Sequence, residues 1–69
     1  MKLYSFLYER DSYLRDGGRR KIIYQSFNKD ALKKVRQELV IKCNYLSGFN
    51  SIGEIESLEV NIENGVWTA

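Results

Sequence analysis

The sequence contains no histidine and no proline, and only one cysteine. Without histidine it lacks the commonest general base, the usual metal ligand and any Ser/His/Asp arrangement, so most enzyme classes lose their parts. The lone Cys43 cannot close an internal disulfide, and nothing points to an oxidising compartment; a cytoplasmic setting is expected. Cys43 reads as a small core residue and not a nucleophile, since no imidazole is present to activate it. With no proline, no repeat and no low-complexity tract, nothing marks a linker, and residues 1–69 read as a single domain. A long apolar run is also missing. The start MKLYSFLYERD is broken by Ser5 and is too short and polar for a signal segment or a membrane span, so no membrane partner is expected.

Acidic loops of the calcium-binding type are absent as well. The carboxylates at 54, 56, 59 and 63 follow strand alternation and read as a solvated face, so neither a metal nor a cofactor is expected. DGGRRK, residues 16–21, lacks the spacing of a phosphate loop and sits between two strands. No catalytic residue emerges, and the chain reads as a non-enzyme.

What is present suits a small folded domain: 69 residues, 43% hydrophobic and 29% charged. A domain of this size buries only about 60% of its unfolded surface, so a small core, and stabilisation by a partner or a second copy, are natural expectations. The net charge of +2 hides an asymmetry. Residues 1–42 hold all eleven bases against five acids, whereas residues 43–69 hold four glutamates and no base. That division fits a nucleic-acid face, or two parts of one domain attracting each other across a sheet.

Residues 2–9, KLYSFLYE, place Tyr4, Phe6 and Tyr8 on one side of a strand and Leu3, Ser5 and Leu7 on the other, the mark of a central strand. RKIIYQSF, 20–27, is a second β-rich run. Asp16-Gly17-Gly18 between them suits a tight hairpin turn, which as a two-residue turn would set Asp16 opposite Arg19. Asn28 is a candidate N-cap with Asp30 in the first turn, and Leu32, Val35, Leu39, Cys43 and Leu46 share one face of a helix over roughly 29–46. EIESLEVNIE, 54–63, alternates with Leu58, Val60 and Ile62 on one face. Asn64-Gly65 then predicts a hairpin pairing Glu63 with Val66 and Ile62 with Trp67. The expected fold is α+β: a small antiparallel sheet, ββαββ in order 2-1-3-4, with one amphipathic helix packed on one face.

Two surfaces are candidates for binding. The first is basic: Arg15, Arg19, Arg20 and Lys21 around the hairpin tip with Tyr13 among them, and Lys29, Lys33 and Arg36 along a helix flank. Interleaved aromatic and basic groups of this kind can stack bases and contact phosphates. Asp11 and Asp16 temper that charge. The second is the sheet face away from the helix. Tyr4, Phe6 and Tyr8 cannot share one core with Leu3 and Leu7, so large apolar groups must stay on an open face and mark a protein interface or a dimer contact. If the helix covers Leu58, Val60 and Ile62, the open side carries Glu59 and Glu63, which would repel a phosphate backbone. Ile41 and Tyr45 on the back of the helix form a smaller apolar patch.

The expected function is therefore a small protein-binding module, an inhibitor or adaptor that occludes a partner surface. Its contacts would be Tyr4, Phe6 and Tyr8, or the opposite face of that strand, together with Tyr13, Arg15, Arg19 and Arg20. The alternative is a nucleic-acid-binding module that adds Lys21, Lys29, Lys33 and Arg36. A homodimer is the remaining arrangement. In size, layout and lack of active-site residues the chain resembles small early bacteriophage proteins that bind and inhibit host machinery, including anti-CRISPR inhibitors. That likeness implies inhibition by binding and transfers no residue.

Overall fold

The computed structural model describes residues 1–11, 18–45 and 48–68. Its elements are β1 (Lys2–Asp11), β2 (Arg19–Ser26), α1 (Lys29–Cys43), β3 (Asn50–Ile52), β4 (Glu56–Glu59), β5 (Asn61–Glu63) and β6 (Val66–Thr68). This is the expected α+β class, with one helix on an antiparallel sheet.

β1 is the central strand, with β2 on one side and β3 followed by β4 on the other. The β1–β2 register pairs Phe6 with Tyr24, Leu7 with Ile23 and Asp11 with Arg19. Arg19 thus stands opposite Asp11, not Asp16, which corrects the two-residue turn; residues 12–17 lie outside the described residues. Asn28 caps α1, its Oδ1 accepting from the Ala31 N–H at 3.1 Å, and the helix closes at Cys43. That end comes earlier than the expected 46, within the β-branched LVIKC stretch, where helix propensity is low.

The helix covers the Tyr4, Phe6 and Tyr8 side of β1. Phe6, Tyr8 and Leu32 are buried together, with Tyr24, Ile22, Leu39, Cys43, Ile52 and Ile55 packed around them. Leu58 is not on that side, so the condition under which Glu59 would lie on the open face is not met. The reason is a β-bulge. β3 pairs Tyr8 with Ile52, and the Gly53 N–H donates to the Leu7 carbonyl at 2.7 Å, yet β4 pairs Ser5 with Glu56. Glu54 and Ile55 therefore both oppose Phe6, and the extra residue exchanges the two faces of the strand. Ile52 faces the helix, whereas Leu58, opposite Leu3, faces away. Gly53 suits the approach, because a Cβ there would stand 3.3 Å from the Leu7 carbonyl oxygen.

Asn64-Gly65 forms the expected turn, with Glu63 opposite Val66 and Ile62 opposite Trp67. Positive φ at both residues, 51° and 78°, matches the type I′ geometry that follows strand twist. The return strand does not join the main sheet as its fourth member: β5 and β6 form a separate two-stranded ribbon. The chain turns off at Val60, which is buried and donates its N–H to the Met1 carbonyl. Trp67 then tilts against Phe27 with ring centroids 5.1 Å apart.

Candidate functional site

Of the aromatic candidates on β1, Phe6 and Tyr8 are core residues, 2% and 3% exposed. Phe6 stacks on Tyr24 at 5.0 Å, and the Tyr8 hydroxyl donates to Asn50 Oδ1 at 3.0 Å while accepting from the Cys43 thiol at 3.6 Å. Burial pushes the Tyr8 phenol above its ordinary pKa. Tyr4 is half-buried with the Lys29 ammonium 5.7 Å from its ring centroid. The helix covers this side of the strand, so Phe6 and Tyr8 cannot anchor a partner, and Tyr4 is only partly accessible. The opposite face of the strand is buried at Leu3, 8% exposed, and opens at Leu7.

On that face Leu7 and Ile23 stand directly across the ladder, 37% and 64% exposed, and Leu58 is 51% exposed further along. One end is fixed by Asp11. Its Oδ2 accepts from the Phe49 N–H at 2.9 Å, and the Arg19 guanidinium, opposite Asp11, lies 3.9 Å from the Phe49 ring centroid. This cation–π contact gives Arg19 a defined place. Lys21 sits opposite Glu9 on the same face. The open face is thus an apolar strip with cations on β2 and carboxylates on β1.

The expected basic surface is divided. Strand alternation turns Arg19 and Lys21 to the open face but Arg20 to the helix side. Lys29 and Lys33 lie toward the other end of the helix, about 20 Å and about 14 Å from Lys42 at the rise of an α-helix. There, together with Arg36 as the helix flank predicts, they line a cavity of about 420 Å³ whose wall also holds Glu54, Val40 and Ile55. Arg36, expected to meet nucleic acid, is committed within the fold: its Nε donates to the Gly53 carbonyl at 2.9 Å, and its Nη2 lies 3.4 Å from Glu54 Oε1. Tyr13 and Arg15 lie outside the described residues. Ile41 is exposed on the helix, and Tyr45, expected on the helix back, is exposed just past the helix end at Cys43.

Comparison with family models, curated proteins and solved structures returns no match. Function is accordingly argued from the surfaces themselves. No helix among the described residues is long and apolar enough to cross a membrane. No cluster of three or more acidic or cysteine side chains among the described residues is arranged to hold a metal ion.

One group of residues escaped the sequence reading. Arg10 and Arg20 are paired across the ladder on the helix side, and Lys42 joins them at a cleft. Both arginines are visible in the sequence, but their juxtaposition depends on the register, which the turn expected at 17–18 would have shifted.

Proposed function

We propose that this chain is a non-catalytic protein-binding module, an inhibitor or adaptor, that presents the open face of its sheet and the adjoining edge of β2 to an acidic segment of a partner protein. The observation that carries this is the uncovered Leu7–Ile23 pair beside a strand with unpaired backbone. β2 pairs only with β1 among the described residues, and RRKIIYQS holds three cations and no acid. An edge strand with exposed ladder groups accepts an added strand, and its cations select for acidic side chains on the incoming segment. Ile23 and Leu7 supply the apolar centre, while Arg19, held by Phe49, and Lys21 steer and align. On this reading the protein works in the cytoplasm.

The division of the basic residues is what sets a nucleic-acid groove second. Arg19 and Lys21, Arg20, and Lys29 with Lys33 occupy three separate regions, so no single strand of phosphates can lie along all of them.

The test is photo-crosslinking from position 23 in the source cell, followed by identification of the attached peptide. An Asp/Glu-rich partner segment is expected, with crosslinking lost in Lys21→Glu and retained in Tyr45→Asp just past the helix end. Crosslinks to a second copy, with a dimer by light scattering, would replace the partner reading with a homodimer. Submicromolar oligonucleotide binding with a steep salt dependence would overturn it in favour of nucleic acid.

A further inference from the structure

We infer that the cleft between the far ends of β1 and β2 and the last turn of α1 is a binding site for a phosphate-type dianion, held by Arg10, Arg20 and Lys42. This cleft lies on the helix side of the sheet, opposite the open face, and its assignment is independent of the partner surface.

Three observations converge on it. Arg10 and Arg20 are directly opposed across the ladder, an arrangement that like charges disfavour unless an anion lies between them. The Nε of Arg10 is buried and has no hydrogen-bond partner, although a buried charged donor without an acceptor is costly. The cleft, of about 150 Å³, is lined by these two arginines and Lys42, and no acidic residue lines it among the described residues. Glu9 and Asp11, the nearest acids in sequence, project to the other face by strand alternation.

The charge selects the ligand. A carboxylate offers one negative charge to three cations, whereas a phosphate or phosphomonoester carries about −1.5 to −2 near neutral pH and three acceptor oxygens. Two planar guanidinium forks and one ammonium supply the donors such a group needs. Tyr8, Tyr24, Ile22 and Leu39 complete the wall, giving an apolar surface against which an ester substituent can rest.

The experiment follows the Arg10 Nε–Hε signal by NMR in the intact protein during titration with inorganic phosphate, phenyl phosphate and benzoate. A saturable shift with the phosphates and a much weaker response to benzoate are expected. A tighter fit for phenyl phosphate assigns a monoester, and equal affinities assign free phosphate. Lys42→Ala, an exposed helix position, and Arg20→Gln should each keep a dispersed amide spectrum and weaken phosphate at least about tenfold, as expected for loss of a charge-assisted hydrogen bond. No saturable shift at tens of millimolar phosphate, equal binding of benzoate, or affinity unchanged in both variants would overturn the assignment.

Discussion

Arg36 Nε donates to the carbonyl oxygen of Gly53 across 2.9 Å, so a helix side chain satisfies the acceptor that the bulge takes out of the β1 ladder. The Arg36 side chain is 26% exposed and Glu54 91% exposed, so the carbonyl bond outweighs the ion pair. Arg36→Ala should destabilise the fold by about 1.5–3 kcal/mol, the range for a hydrogen bond to a charged group, seen as a lower urea midpoint at constant slope. Glu54→Ala should cost less than about 0.5 kcal/mol. Equal losses in the two variants would assign the effect to the ion pair instead.

Leu32 and Val35 fall on one predicted helix stripe, yet Leu32 is 3% exposed and Val35 40%. The helix crosses a sheet whose neighbouring strand is bulged, and Arg36 occupies the inward position beside Val35. Leu32→Ala should therefore cost about 2–5 kcal/mol, as buried leucines do. Val35→Ala should stay within about 0.5 kcal/mol by the same urea titration, as surface substitutions do. A comparable loss at Val35 would contradict the observed placement of the helix.

These two positions show where sequence reasoning reached and where it stopped. Signals contained in two or three neighbouring residues were legible: the Asn28 cap, the Asn64-Gly65 turn and the alternation of β1. Each depends on local φ/ψ or on side-chain chemistry that a sequence states directly. Which face of β1 the helix covers was not legible, because both faces carry apolar groups. The bulge at Glu54-Ile55 decides where Leu58 and Val60 point, and no residue type announces it. The candidate site inherits the same limit. The sequence offers Tyr4, Phe6 and Tyr8 or the opposite face of their strand as the contact, and the burial of Phe6 and Tyr8 leaves the opposite face. Arg20 is legible as a basic residue near the hairpin tip, but its pairing with Arg10 depends on a register the sequence does not state.

Tyr8 links the core to the pH dependence of stability. Burial raises its pKa above the ordinary value near 10. The unfolded phenol ionises first as pH rises, so the stabilisation is complete below the unfolded pKa and is lost as pH climbs through the folded one. Stability measured by urea should fall above about pH 10, and Tyr8→Phe should flatten that fall. The same variant should cost about 1 kcal/mol at neutral pH, because Asn50 Oδ1 loses its donor. An unchanged alkaline slope in Tyr8→Phe would remove Tyr8 from this role.

Gly65 separates backbone strain from packing. Its φ of 78° is disfavoured for an L-residue, yet a Cβ at this position would meet nothing within 4 Å. Gly65→Ala should therefore cost about 1–2 kcal/mol through conformation alone. Because β5 and β6 form their own ribbon, that cost should appear as faster amide exchange across the Ile62–Trp67 pair and altered Trp67 emission, with little movement of the global urea midpoint. D-alanine, introduced by chemical synthesis, adopts positive φ without strain and narrows the unfolded ensemble, so it should slow the same exchange. Equal acceleration by both enantiomers would mean that the added methyl group disturbs packing, and that the turn is not held by the left-handed conformation of its glycine.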